Sequence, residues 1–405
     1  MPEGLAFLEE LAARRRFGMK PGLAAISEIC ARLGHPERAF KAVHIAGTNG
    51  KGAVAAILDS RFAGGRYTSP HLVKLNERFF LRGRPVDDAT LERAAAEVTP
   101  ALPDGATFFE ALTAVAFELY AQERPGRVIL ETGLGGRFDA TNVCDSELSV
   151  ITKIGLDHCD WLGGTIAEIA AEKAGIIKPG VPVVVGRNGD EALEVIEKEA
   201  KTLGAPFFYA PDVVEDCEIP EDFSLKGAFN RENAVTALAA LKVLGTDPVT
   251  SLADVVWPGR FQEIGSFIVD GAHNPPAAEA LAAALGDEKV DLIAGFCADK
   301  DAVETLRILA PHIRRGTAVK TNNPRSLAAE EAAALMREAG IEARAENGGL
   351  AAALAVAGKD VRTLVCGSLF LAGEAVVLLG VYPWGGDIRF DRSELSVKRE
   401  DIPVS

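Results

Sequence analysis

The 405-residue chain predicts an α/β protein with two domains: a P-loop-type parallel-sheet domain and a smaller, Rossmann-like α/β domain after it. Three observations lead there. Apolar runs of strand length alternate with helical patterns almost throughout, as in parallel sheets built from βαβ units. The length exceeds what one hydrophobic core usually organises. Finally, an apolar strand, Ala42 to Ala46, runs through Gly47-Thr48-Asn49-Gly50-Lys51-Gly52-Ala53 into an apolar helix over Val54 to Phe62.

The chain opens on a charged amphipathic helix patterned by Leu5, Leu8 and Leu11, which Arg14-Arg15-Arg16 would close as cations favouring a helix C-terminus. At the glycine-rich corner, backbone amides can approach a phosphate chain and the next helix adds its positive end. Lys51 would supply a compact cation for terminal phosphates. The spacing is not that of a standard P-loop: Ile45 stands at the first glycine position, and Gly52 and Ala53 follow the lysine in place of a Ser/Thr hydroxyl. A glycine turn that merely joins strand to helix is the alternative.

Further on, Ser69 sits in the Pro-bearing loop Tyr67 to Leu72, which continues as Asn76-Glu77-Arg78; serine there also suits a turn. Glu131 ends the strand Val128-Ile129-Leu130 and enters a glycine-rich turn, a position suited to a nucleotide's Mg²⁺ or to a solvated carboxylate. His158 follows a strand expected over Leu148 to Ile154 and is either a structural histidine or a neighbour of Glu131 in one crevice. A capping box, Thr165 with Glu168, starts a helix that stops near Gly175 and carries Lys173, whose simplest role is to complement the helix dipole. Val181 to Val185 resumes the sheet, and Asn230 to Leu244 is a long amphipathic helix.

Trp257-Pro258-Gly259-Arg260 reads as a linker, placing the domains at 1–256 and 260–405. Beyond it, Phe267 to Val269, Val290 to Ala294, Thr317 to Lys320 and Thr363 to Val365 are expected strands. Asp270 and His273 occupy a strand-to-helix corner, where Asp270 is a crevice residue or a turn residue. Asp299-Lys300-Asp301 suits a helix N-terminus.

The net charge of −15 excludes the basic stripe of a nucleic-acid surface. Six scattered cysteines without a C-x-x-C pair fit neither a disulfide framework nor a zinc knuckle, and match a reducing, cytoplasmic setting. No apolar run approaches the ~20 residues that span a bilayer, so no membrane association is expected.

Taken in order, these segments resemble the folylpolyglutamate synthase/dihydrofolate synthase group of the Mur ligase superfamily. Phe17 to Leu23 resembles that group's pterin-side motif, Gly47 to Gly52 its P-loop, and Tyr67 to Leu72 with Asn76 to Arg78 its Ω loop. Glu131 to Asn142, Gly155 to His158, Glu172 to Lys178, Trp257 to Arg260, Asp270 to Pro275 and Gly367 to Leu369 complete the series. The resemblance implies an ATP-dependent ligase that adds L-glutamate to dihydropteroate or folates through an acyl phosphate. It further implies that Gly47 to Ala53, with Lys51 central, cradle ATP, and that Ser69, Glu131 and His158 bind Mg²⁺. Lys173 matches a carbamylated lysine. Asn233, Arg260 and Asp270 would contact ATP across an interdomain cleft that closes during turnover, while Phe17, His273 and Ser368 would be substrate-side contacts. A monomer is implied.

Two positions depart from the pattern: Ala53 stands where Ser or Thr is usual, and Phe229-Asn230 where His-Gln is usual. They keep open a catalytically weakened paralogue that binds nucleotide or pterin as a sensor or partner. A Mur-type ligase for another acceptor is the third reading.

Overall fold

The computed structural model describes residues 22–298, 301–358 and 360–385. They divide into two compact units. One comprises the chain up to Phe223 together with Arg231–Val255; the other comprises Ser224–Asn230 and the chain from Val256 onward. The expected N-terminal helix with Arg14 to Arg16, Phe17, Asp299 and Lys300 lie outside the described residues.

The first unit is built on an eight-stranded sheet: β1 (Lys41–Ala46), β2 (Gly65–Tyr67), β3 (Phe79–Leu81), β4 (Arg84–Pro85), β5 (Arg127–Glu131), β6 (Ser146–Ile151), β7 (Val183–Val185) and β8 (Phe207–Tyr209). The order is β4-β3-β2-β5-β1-β6-β7-β8. β2 through β8 pair in parallel across β5, β1, β6 and β7, whereas β3 and β4 extend the edge antiparallel. The central strands β1, β5 and β6 are buried along nearly their whole length, as in a parallel sheet covered by helices on both faces. β1 lies between β5 and β6, so the chain leaves it toward one side and later returns on the other. That reversal opens a crevice beyond the strands' carboxyl ends. The register sets Glu131 beside Ile45 and Ile151 beside Ala46, which brings both neighbouring strand ends to the glycine-rich loop.

Several boundaries differ from expectation. The helix after the loop runs Lys51–Phe62, three residues earlier than expected, because Gly50 turns the backbone at φ 90° and the next residues are already helical. β6 stops at Ile151 rather than Ile154: Thr152 N still donates to Ala46 O of β1, but Lys153 turns its carbonyl to the glycine loop and Ile154 N turns to Asn188. β7 begins at Val183, and the long amphipathic helix spans Ala228–Val243. The helix Ile166–Ala174 begins at the anticipated capping box, Glu168 N donating to Thr165 Oγ1 (3.2 Å) and Thr165 N to Glu168 Oε2 (3.1 Å).

The second unit holds a six-stranded sheet: β9 (Gln262–Ile264), β10 (Phe267–Val269), β11 (Val290–Ala294), β12 (Ile313–Val319), β13 (Ala343–Glu346) and β14 (Thr363–Cys366). Its order is β13-β12-β11-β14-β10-β9, parallel except for β9. β12 starts four residues before the expected Thr317, with exposed Arg314 and Arg315 masking its apolar pattern. Among the described residues no helix is long and apolar enough to cross a membrane.

Candidate active site

The glycine loop after β1 is tightly supported from beneath. A Cβ on Gly47, where φ is 151°, would fall 1.9 Å from Thr152 Oγ1; one on Gly50 would fall 2.1 Å from Asn233 Oδ1. Thr152 Oγ1 donates to Asn49 O (2.8 Å), and the amides of Thr48 and Asn49 donate to Lys153 O (2.8 and 3.2 Å). Asn233 is buried against the loop. The helix Lys51–Phe62 then presents N–H groups without intrahelical partners, together with its positive dipole end. Ala53 is buried in its first turn.

Lys51 folds back over the loop: Nζ donates to Gly47 O (3.0 Å) and Thr48 O (3.2 Å) and lies 4.0 Å from Glu131 Oε1. Glu131 is buried at the end of β5, and its Oε2 accepts from Ser69 N (3.1 Å). The Ser69 loop is held by Glu77, whose carboxylate accepts from the amides of Leu72, Val73 and Lys74 at 2.7–3.0 Å. The structure thus brings Lys51, Glu131 and Ser69 together.

Lys173 joins the same cluster from the far end of Ile166–Ala174. It is buried, and Nζ donates to Gly47 O (2.9 Å). Burial pushes its amine down to about 7, with the charge of Lys51 acting in the same direction. Dipole complementation alone does not describe this lysine. Gly136 makes the approach possible, since a Cβ there would meet Glu172 O at 2.7 Å and Lys173 O at 2.9 Å.

Asp139, quoted above only as part of its segment, organises the intervening loop. Its Oδ2 accepts from Gly133 N (2.8 Å) and Leu134 N (2.9 Å), and its Oδ1 from Thr141 N (3.0 Å) and Thr141 Oγ1 (2.5 Å). Next to it opens a cavity of about 440 Å³, lined among others by Arg78, Phe108, Phe109, Phe138, Asp139 and Trp161. Phe138 and Trp161 are 51% and 54% exposed, unusual for such large apolar side chains. Arg78 Nε donates to His71 Nδ1 (2.9 Å). The available sequence signal was the capping box Thr107-x-x-Glu110, which starts the helix Phe108–Glu123 and sets both phenylalanines at its first turn.

His158 stands in a left-handed conformation (φ 53°) just before the short helix Cys159–Leu162, with its side chain 42% exposed. Its Nε2 is 3.9 Å from Asp157 Oδ1. Its segment is tied to the glycine loop by Thr48 Oγ1, which donates to Gly155 O (3.0 Å) and accepts from Gly155 N (3.1 Å).

In the second unit, Asp270 follows β10. Its buried carboxylate accepts from Phe261 N and Ala272 N, both at 2.7 Å, and so braces the turn it stands in; burial raises its pKa and Arg260 opposes the rise. Arg260 Nη1 donates to Gly259 O (2.9 Å), and His273 Nδ1 to Gly271 O (2.7 Å). Ser368 caps the helix Leu369–Leu378 by accepting from Phe370 N (3.1 Å). Because β10 and β14 are parallel neighbours and Gly367 N donates to Ala272 O (2.8 Å), these residues share one edge of the unit.

The donor set near the glycine loop suits Mg²⁺. The buried carboxylate of Glu131, held beside Lys51 and the Ser69 loop, is an oxygen ligand of the kind used by a hard cation that completes its shell with phosphates and water. Among the described residues there is no group of three or more His, Cys, Asp or Glu that could hold a metal ion.

Residues 259–369 match the family model of the Mur ligase glutamate ligase domain. A Bacillus subtilis protein named dihydrofolate synthase/folylpolyglutamate synthase is 38% identical over 313 residues, 66% of this chain and 73% of that protein. A Haloferax volcanii protein, named a probable bifunctional folylpolyglutamate synthase/dihydropteroate synthase, is 32% identical over 92% of this chain, which spans 50% of its length. Among solved structures, Mycobacterium tuberculosis folylpolyglutamate synthase complexed with ADP and AMPPCP superposes with a TM-score of 0.81 at 30% identity, covering 93% of this chain and 99% of that one. A bifunctional folylpolyglutamate synthase/dihydrofolate synthase with Mn, AMPPNP and L-glutamate bound superposes with a TM-score of 0.78 at 30% identity, covering 93% and 99%.

Proposed function

The chain belongs to the folylpolyglutamate synthase/dihydrofolate synthase family, and on that premise we propose that it is an ATP-dependent ligase joining L-glutamate to dihydropteroate, to folates or to both. One observation carries the reading at the level of this chain's own residues. The cluster of Lys51, Glu131 and Lys173 around Gly47 adjoins an aromatic cavity: Ser69, whose amide binds Glu131, and Asp139, whose charge acts on Lys173, both line that cavity. A phosphate chain at the first and a flat pterin acid in the second would bring a γ-phosphoryl group to a carboxylate.

A carboxylate is a poor electrophile, so its oxygen first attacks the γ-phosphorus of ATP. The new C–O–P linkage forms as the P–O bond to ADP breaks. Two anions meet in this step. Lys51, released from the Gly47 and Thr48 carbonyls, and the amides opening Lys51–Phe62 offset their repulsion. Glu131, Ser69 and His158 would hold Mg²⁺, which supplies Lewis-acid neutralisation of phosphate charge. The neutral amine of glutamate then attacks the acyl carbon, forming the C–N bond and releasing phosphate, while the ammonium proton leaves to water. Half-exposed Phe138 and Trp161 offer ring faces for the pterin or aminobenzoyl portion.

Finer roles belong to the same proposal. Lys173, with an amine pKa near neutrality, takes up CO₂: the ammonium gives one proton to water, the neutral amine attacks carbon to form the N–C bond, a second proton leaves, and a cation becomes an anionic carbamate at the phosphate site. Asn233, Arg260 and Asp270 serve nucleotide binding, and His273 and Ser368 serve glutamate binding. The protein acts as a monomer.

The test is ADP release by purified protein with ATP, Mg²⁺ and glutamate. Release should depend on added dihydropteroate or tetrahydrofolate, and mass analysis of the products separates single glutamylation from chain extension. Failure of both acids to stimulate release rejects the reading.

A further inference from the structure

Beyond the end of β7, a side chain takes the place of a strand residue. The last backbone rung between β6 and β7 is Gly186 N donating to Ile151 O (2.8 Å). Two residues later the buried amide of Asn188 continues the ladder: Nδ2 donates to Thr152 O (3.0 Å) and Gly186 O (3.0 Å), and Oδ1 accepts from Ile154 N (2.7 Å). These bonds straddle Lys153, whose carbonyl receives the amides of Thr48 and Asn49. On either side, Thr152 Oγ1 reaches Asn49 O and Gly155 exchanges hydrogen bonds with the Thr48 hydroxyl. Residues 152–155 therefore form a splint with Asn188 along one edge and the glycine loop along the other.

We propose that Asn188 is a positioning residue of the nucleotide site, setting the curvature of the glycine loop through this splint without touching nucleotide. Asparagine suits the task because one planar amide carries a donor and an acceptor at peptide-like spacing. Alanine would take this partner from two buried carbonyls, Thr152 O and Gly186 O, and from the amide of Ile154. Aspartate, of equal size, keeps the acceptor for Ile154 N but turns a carboxylate oxygen toward the Thr152 and Gly186 carbonyls. The coupling runs through contiguous hydrogen bonds, and perturbing them is its test.

This inference rests on the glycine loop being the ATP site, so the experiment separates the two. Binding of the non-hydrolysable analogue AMPPNP with Mg²⁺ is measured by calorimetry for the full wild-type chain, Asn188→Ala and Asn188→Asp, alongside melting temperatures and KM values for ATP, pterin acid and glutamate. We expect both variants to bind AMPPNP about ten-fold more weakly, as alanine breaks all three buried hydrogen bonds and aspartate the two donated by Nδ2, with KM raised for ATP alone. No AMPPNP binding by wild type rejects the ATP-site reading itself. Wild-type binding matched by both variants overturns the role of Asn188. So does an equal loss across all three substrates, or failure of both variants to fold, since either makes Asn188 a general support of the domain.

Discussion

The ammonium groups of Lys51 and Lys173 converge on one acceptor, the carbonyl oxygen of Gly47, at 3.0 and 2.9 Å. Burial, with the repulsion of Lys51 acting in the same direction, pushes Lys173 down to about 7. A phosphate chain would draw Lys51 away, and conversion of Lys173 to a carbamate would exchange the repulsion for attraction.

Lys173 should therefore show carbamylation that rises with pH through neutrality, as the amine loses its proton. A carbamate resonance in ¹³C NMR with labelled bicarbonate should be present in wild type and missing in Lys173→Ala. Turnover of Lys173→Ala should fall by about 10²-fold or more, as when one preorganised charge-stabilising group is removed, with partial rescue by short carboxylic acids. A wild type without the resonance, together with no rescue, refutes the assignment.

The same lysine predicts a pH dependence of stability in CO₂-free buffer. Its folded pKa lies below its ordinary 10.5, so between about pH 7 and that value the unfolded chain binds the extra proton. Stability should rise with pH across this window. Lys173→Met should flatten the rise, as read by urea midpoints at pH 7 and pH 9; equal slopes for both proteins would count against the buried amine.

Gly50→Ala should weaken ATP binding by about ten-fold or more, since the new methyl meets Asn233 Oδ1 at 2.1 Å and φ 90° costs a non-glycine residue ~1–3 kcal/mol. Adding Asn233→Ala should restore only part of the loss, because the backbone strain remains. AMPPNP calorimetry on the single and double variants checks both statements.

Trp161→Ala should raise KM for the pterin acid by about ten-fold, the loss of one stacking contact being worth ~1–3 kcal/mol, while KM for ATP stays in place. The melting temperature should hardly move, because the ring is 54% exposed and supports little of the core. An unchanged pterin KM would show that the cavity binds something else.

Ala53→Ser should lower the Mg²⁺ concentration for half-maximal activity without abolishing turnover, because it restores a hydroxyl in the first turn after Lys51. Magnesium titrations of the two proteins measure this directly. Unchanged Mg²⁺ dependence would mean that position 53 lies outside the metal's reach.

Much of this architecture was legible in the chain. Periodicity located β10 and β11 to the residue, and the Thr165–Glu168 capping box located the helix that carries Lys173. Edge strands escaped: β3, β4 and β9 are only two or three residues long, and their antiparallel pairing leaves too short a pattern to read. β12 hid its start because the exposed arginines there imitate a loop.

What the sequence determined by itself was the set of local decisions: where glycines free the backbone, which helix begins at which cap, and which acid ends which strand. Those depend on neighbours a few residues away. The tertiary structure alone decided that Lys173, 126 positions from Gly47, is buried against that residue's carbonyl and loses its preference for charge. It alone made Asp139 the knot of a loop and Asn188 a stand-in strand residue. The physical reason is the same in each case: desolvation and hydrogen bonding depend on what surrounds a side chain in space, and the sheet order, with β1 between β5 and β6, sets those surroundings.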